Sequence, residues 1–243
     1  MSMTQMEVKT RTHTGFHLHP LFFQEAGSGK IESGTQGLAA DRAYQLIKYR
    51  ILNLIYEPGS PIKDTELMKS LKLGRTPIRE ALKRLEVELL VMTRPRQGTY
   101  VSEISITDFK QQFSIRRQLL SLAAGSCAEK ASVKAVSRLE NQLDRLMKVN
   151  PKNKPGLIRS VVRFHFQIGI CADNYYLQQL LERYCGYTQR TWLLISSKLD
   201  CPDFLLDDYT SLVKLIAEGK AAEAQELMVT HLEDVHQRIM NYL

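Results

Sequence analysis

The sequence predicts a mainly α protein in two parts, an N-terminal winged helix-turn-helix followed by an all-α antiparallel helical bundle. Three observations carry that prediction. Residues 73–90, LGRTPIREALKRLEVELL, combine helix-start chemistry with clustered positive charge. Residues 91–101, VMTRPRQGTYV, hold two short β-prone runs around a tip containing Pro95 and Gly98. From Ser105 onward, apolar residues recur at helical spacing almost without interruption.

Three segments follow: an arm over 1–38, a winged helix over 39–103 and a bundle over 104–243. The arm mixes Thr, Ser, Gly and His with few hydrophobics and is expected to be disordered. Its AGSGKI run lacks the first Gly and the final Ser or Thr of a phosphate loop, and His13, His17 and His19 have poor metal spacing. In the winged helix, a first helix is expected from about Ala40 to Ile55, with Tyr44, Ile47, Ile51 and Leu54 on one face and Pro58-Gly59 ending it. Asp64 to Leu71 forms a short second helix burying Leu67, Met68 and Leu71, and Lys72 to Gly74 is the turn. The third helix is expected to start with Thr76 as N-cap and Pro77 at its first position, where a missing N–H costs nothing. Ile78, Ala81, Leu82, Leu85 and Leu89 then share an apolar face, while Arg75, Thr76, Arg79 and Lys83 lie on another. Val91 to Arg94 and Thr99 to Val101 are the strands of the wing.

In the bundle, Ser105 and Asp108 predict a capping box before a helix carrying Phe109, Phe113, Leu119, Leu120, Ala123 and Cys127. Further helices are expected over about Ser132 to Val149, Leu157 to Ala172, Tyr176 to Lys198, Phe204 to Glu218 and Ala221 to Tyr242.

The net charge of +7 suits a polyanionic partner, and it is denser in the head: 39–103 holds 12 basic and 8 acidic residues, against 18 and 15 in 104–243. The sequence has no apolar run long enough to span a bilayer, and its start lacks the apolar core of a signal peptide, so no membrane partner and a cytoplasmic location are expected. Cys127, Cys171, Cys185 and Cys201 show no C-x-x-C spacing and are expected to be core or surface thiols. There is no G-x-S-x-G, no H-E-x-x-H and no intact phosphate loop, and no general-base carboxylate is assigned to His165 or His231, so no catalytic residue is assigned and an enzyme is not expected.

From about Ala43 onward the chain resembles the GntR-type winged helix-turn-helix regulators. The motifs that carry the resemblance are Glu57-Pro58-Gly59, Thr65-Glu66-Leu67-Met68, Gly74 through Val91 and Gln97 through Val101. Gly74 stands where the family usually has Ser or Thr, and Leu89 where it usually has Gly. The bundle resembles the ligand-binding domain of the FadR-type branch. The resemblance implies a homodimeric transcriptional regulator, most often a repressor, which binds a palindromic double-stranded DNA operator and answers to a small-molecule effector such as an organic acid. The alternative is an effector-independent DNA-binding protein whose pocket has degenerated.

On that basis Arg75 and Arg79 are expected to read base edges, with Thr76, Lys83 and Arg94 on phosphates and Arg96 with Gly98 at a minor groove. In the branch, an Asp and three His hold a divalent metal, zinc or nickel, which in turn holds the acid. Mapping the motifs places Val161, His165, Tyr209 and His231 at those four positions, so two of the four ligands are missing and no cofactor is assigned. A metal, if held, rests on His165 and His231. These residues are expected to line an effector pocket with Arg116, which occupies the place of a common acid-pairing arginine. The alternatives are satisfied core histidines and a surface salt bridge for Arg116. His236 is expected to face solvent.

Overall fold

The computed structural model describes residues 36–199, 203–206 and 208–242. The arm's first 35 residues, with His13, His17 and His19, lie outside these.

The head opens with α1 (Gln36–Leu52), which begins inside the stretch assigned to the arm. It buries Ala43, Tyr44, Ile47 and Ile51 against α3. The helix-turn-helix is α2 (Asp64–Leu71) and α3 (Arg75–Val87), joined by a turn in which Lys72 adopts φ +55. The start of α3 corrects the expected cap. Gly74, with extended backbone and no side-chain bond, is the N-cap, and Thr76 and Pro77 lie inside the first turn. Pro77 is tolerated there because the first four N–H groups of a helix have no partner within it.

Strands β2 (Val91–Arg94) and β3 (Gly98–Val101) form the wing in antiparallel register, Val91 opposite Val101 and Arg94 opposite Gly98. Gly98 takes φ +103 at the tip, a conformation that strains any side-chain-bearing residue. A third strand was not legible: the two-residue β1 (Pro61–Ile62) pairs with the outer side of β3, giving the order β1-β3-β2. Two residues are too few for a periodic signal.

Ser105 caps α4 (Ile106–Lys130), its Oγ accepting from the Asp108 N–H at 3.0 Å. Then come α5 (Val133–Met147), α6 (Lys154–Cys171), α7 (Tyr175–Ile195), α8 (Tyr209–Ala217) and α9 (Ala221–Met240). The helix expected over Phe204 to Glu218 is divided. A 3-10 turn over Asp203–Leu206 precedes α8, and Asp208 at φ +68 breaks the path between them. Helix α4 is the bundle's spine, packing on α9, α7 and α6. Its core joins Leu120, Ala123, Val161, Phe164, Ile168, Trp192, Leu212 and Leu232.

The expectation of free thiols fails at two positions: Cys127 of α4 and Cys171 of α6 are joined by a disulfide, with Cα atoms 4.9 Å apart. Helical periodicity places both on buried faces, but their meeting depends on how α4 and α6 pack, which spacing in sequence does not report. Cys185 is a buried free thiol. Among the described residues no helix is long and apolar enough to cross a membrane.

Candidate nucleic-acid interface and buried polar cluster

The exposed face of α3 follows from its amphipathicity. Pro77, Ile78, Ala81, Leu82 and Leu85 are buried, which turns Arg75, Thr76, Arg79 and Lys83 outward, all exposed. Leu89 departs from the expected apolar face: it lies beyond the helix at φ +58 and is 66% exposed. In the wing, Arg94, Arg96 and Gly98 are exposed, and the Arg94 guanidinium stacks 4.7 Å from the Tyr100 ring centroid. The wing is fastened to α3 by Glu86, whose Oε1 accepts from the Thr93 N–H at 2.9 Å. Six polar or cationic side chains and one bare backbone position are thus carried on two coupled elements of the same head, with their charged ends in water.

The second group is closed. Arg116, Val161, His165, Tyr209 and His231 are all buried, the most exposed at 3%. Arg116 Nη2 lies 2.8 Å from His165 Nδ1, and Tyr209 Oη lies 2.8 Å from His165 Nε2. Arginine only donates, so Nδ1 must accept. His165 is therefore the neutral tautomer carrying its proton on Nε2, which donates to the Tyr209 oxygen and leaves the phenol's own proton for another acceptor. Burial, first, and then the nearby Arg116 and His231 hold the His165 pKa well below the usual histidine value. The Tyr209 ring packs 4.7 Å from Phe164 and 4.6 Å from His231, centroid to centroid, and His231 Nδ1 lies 3.9 Å from the Asp208 carboxylate.

Arg116 is no surface salt bridge. It is 2% exposed, its guanidinium faces the Trp192 ring at 5.5 Å, and the Cys185 thiol lies beside it. Among the described residues no carboxylate lies within ion-pair distance of it, and its Nε has no hydrogen-bond partner. His236, expected in solvent, is half-buried and stacked on Phe113 at 3.8 Å.

These residues do not fit a divalent metal. Val161 has no donor atom. Both nitrogens of His165 are engaged, one by a cation that would repel a second positive charge, and a neutral phenol is a poor ligand. Among the described residues no group of three or more His, Cys, Asp or Glu is placed to hold a metal.

Periodicity could not reveal how α7 joins the two halves. Arg183 donates to the Val87 carbonyl at 2.9 Å, Tyr187 to the Glu88 carbonyl, Gln189 to the Leu52 carbonyl at 3.2 Å and Arg190 to the Ser102 carbonyl at 2.6 Å. Four side chains of one helix thus hold the C-terminal ends of α3 and α1 and the exit of the wing. Burial without a carboxylate pushes the Arg190 pKa down to about 10. Lys48 of α1 completes the junction, 2.9 Å from both Glu88 and Glu182, with its pKa raised by Glu182 and other neighbours against the opposing cost of burial. The opposite side of α7 supplies Cys185 and Trp192 to Arg116, so one helix touches both the polar cluster and the end of the recognition helix.

A winged helix with an exposed cationic face, joined by hydrogen bonds to a helical domain with a closed polar cluster, is the architecture of a DNA-binding regulator. Comparison with known proteins makes the class specific. Residues 39–101 match the bacterial regulatory proteins of the gntR family, and residues 111–234 match the FCD domain. The chain belongs to the GntR family, in the branch that carries an FCD domain: it is a helix-turn-helix transcriptional regulator and not an enzyme. It is 31% identical over 141 residues to the HTH-type transcriptional regulator YdhC of Bacillus subtilis, covering 57% of this chain and 63%, less than two thirds, of that protein. It is 20% identical over 197 residues to the HTH-type transcriptional repressor RspR of Escherichia coli, covering 81% of this chain and 86% of that one. The solved structure of E. coli McbR/YncC superposes with a TM-score of 0.73 at 18% identity, covering 84% of this chain and 97% of that one.

Proposed function

We propose that the protein is a cytoplasmic, homodimeric repressor that binds a palindromic operator and is controlled by a small organic acid bound directly, without a metal, in the α4–α6–α8–α9 cluster. The observation that carries the effector assignment is Arg116, a buried guanidinium whose neighbours are a neutral imidazole, a thiol and an indole. Burying a cation without a counter-charge costs free energy that a carboxylate would offset, and the planar fork matches that group. His165, Tyr209 and His231 supply polar contacts around it, and Val161 an apolar wall in place of a metal ligand.

The DNA assignment rests on the exposed α3 face: Arg75 and Arg79 read base edges, Thr76, Lys83 and Arg94 hold phosphates, and Arg96 with Gly98 enters a minor groove. Dimerisation is supported by Ile115 and Leu122, two turns apart on α4, which are 45% and 49% exposed. The name of RspR supports repression.

The test begins with selection of an operator from random duplexes and native mass spectrometry of the complex, where a dimer on an inverted repeat is expected. A panel of small mono- and dicarboxylic acids is then screened by thermal shift. The expected result is an acid that raises Tm, changes operator affinity, and does neither in Arg116→Met. A panel without any shift would overturn the effector assignment and leave an effector-independent DNA-binding protein.

A further inference from the structure

Helices α4 and α6 are tied to each other twice. Arg116 of α4 donates to His165 of α6 at 2.8 Å, and three turns further along α4 Cys127 is bonded to Cys171 at the end of α6. The first tie is the one an acid effector disturbs, because a carboxylate drawing on the same guanidinium competes with His165 for its N–H groups. The second tie limits how far the two helices can part when that happens. We propose that Cys127–Cys171 is a redox modification site, whose oxidation pins α4 to α6 and so sets the operator affinity and effector response of the protein. The inference rests on the effector and cytoplasmic readings above.

Three observations support it. In a reducing cytoplasm a disulfide is as a rule transient and linked to redox sensing or catalysis, so a bonded pair in the core of a regulator calls for a role. Both oxidation states suit the site: the Cys171 sulfur lies 3.9 Å from the Cys127 carbonyl oxygen, where the thiol of the reduced pair donates, and the apolar surroundings leave no charge stranded on reduction. Access is local. Cys171 is the last residue of α6, before a turn in which Asp173 takes φ +46, and Lys130 closes that end by donating to the Ala172 and Asp173 carbonyls at 3.2 and 3.3 Å. Opening of that last turn would expose the sulfur without unfolding the bundle.

The placement carries the consequence. Helix α4 leaves the wing through Ser102 to Ser105 and bears Arg116, so a constraint on α4 reaches both the polar cluster and the strand that approaches DNA. The oxidant is a hydroperoxide. The Cys171 thiolate attacks its terminal oxygen, an S–O bond forms as the O–O bond breaks, and the alcohol leaves with a proton. Cys127 sulfur then attacks the sulfenic sulfur, the S–S bond forms, and water leaves with the Cys127 proton. The protein loses two electrons and the peroxide gains them. A small dithiol reverses the step by exchange, itself becoming the disulfide.

The test uses the full chain, treated with cumene hydroperoxide or with dithiothreitol, then unfolded and alkylated. Of its 4 cysteines, the oxidised form should leave two unmodified by alkylation, in a cross-linked peptide pair containing Cys127 and Cys171. Operator affinity of the two forms should differ fivefold or more, a typical coupling between linked sites. The difference should be reversed by dithiothreitol and absent in Cys127→Ala/Cys171→Ala. If that variant does not fold, Cys171→Val, which keeps the apolar volume, replaces it. Four alkylated cysteines after peroxide, or equal affinities in the two forms, overturn the proposal. A redox-dependent affinity with no acid-dependent Tm shift in either form would overturn the effector reading while leaving the redox site intact.

Discussion

The head and the bundle both use arginine at their working surfaces, in opposite environments. Arg75, Arg79, Arg94 and Arg96 stand in water, whereas Arg116 and Arg190 are 2% and 3% exposed and have no carboxylate partner among the described residues. An exposed cation keeps its hydration until a phosphate displaces it, so the head stores no electrostatic strain and its affinity is set by salt. A buried cation has already lost its water. It must be held by carbonyls, rings and neutral nitrogens, and a ligand that brings a counter-charge finds much of the cost of binding already met. The head thus carries its cations at little cost in stability, while the bundle and its junction with the head give up stability to bury theirs.

The largest effect that tests this contrast is at the junction. Lys48→Ala would leave Glu88 and Glu182, 21% and 13% exposed, without their shared cation. The expected loss is about 3 kcal/mol in urea unfolding, the lower end for breaking a buried pair. A loss below about 1 kcal/mol, the range of surface pairs, would show that the junction is wetter than it looks.

Next come the reading-face substitutions. Arg79→Ala is expected to cost about 1–3 kcal/mol of operator binding and relax sequence preference, while Lys83→Ala weakens all DNA alike and lowers the salt slope by about one. Neither should move Tm. Equal losses on operator and random duplex for Arg79→Ala would remove it from base reading.

The third prediction separates the regions by pH. His165 is held neutral in the fold, with its pKa below the ordinary 6.5. Below that ordinary value the unfolded chain takes up a proton that the folded chain refuses, so stability is present above it and lost as pH falls. The expected slope approaches about 1.4 kcal/mol per pH unit. His236, also held low by burial, adds its own share, so the readout is the difference between the wild type and His165→Gln in urea midpoints at pH 7.5 and 5.5. Identical slopes would mean that His165 takes up a proton in the fold as readily as in the unfolded chain and that Arg116 does not donate to it.

Much of the head was legible because its signals are local. Helix periodicity, turn residues and the Pro95 to Gly98 tip each act over a few positions, and burying Ile78, Ala81 and Leu85 leaves the basic face one direction to point. The bundle's helices were legible for the same reason, and the family resemblance named Arg116, Val161, His165, Tyr209 and His231, which the structure brings into one buried cluster, but the other partners of these side chains were not legible. Nothing near Arg116 in sequence announces Trp192 or Cys185, and nothing near Cys127 announces Cys171, because those meetings are made by helix packing between residues tens of positions apart. Arg183, Tyr187 and Arg190 hold carbonyls of the head that lie 88 to 99 positions earlier in the chain, which local spacing does not report.

The smallest predicted effect compares two helix ends of the same design. Helix α3 closes with Leu89 N–H donating to Glu86 O and Leu90 N–H to Leu85 O, both at 2.9 Å, and α8 closes with Gly219 N–H on Ile216 O and Lys220 N–H on Leu215 O. Both are Schellman endings, which require a left-handed residue after the cap. The bundle uses Gly219 at φ +72; the head uses Leu89 at φ +58. The left-handed conformation costs a residue with a Cβ about 1–2 kcal/mol, and glycine gives back about 0.5–1 kcal/mol in unfolded-chain entropy. Leu89 recovers little by burial, since it stands 66% exposed at the rim of a cleft of about 310 Å³ between the wing, α4 and α7. Leu89→Gly is therefore expected to stabilise the protein by about 0.5–1 kcal/mol in urea unfolding, and Gly219→Leu to destabilise it by a similar amount. If Leu89→Gly instead lowers stability, the leucine is held by contacts across that cleft, and the end of the recognition helix is braced against the bundle by packing as well as by the hydrogen bonds of α7.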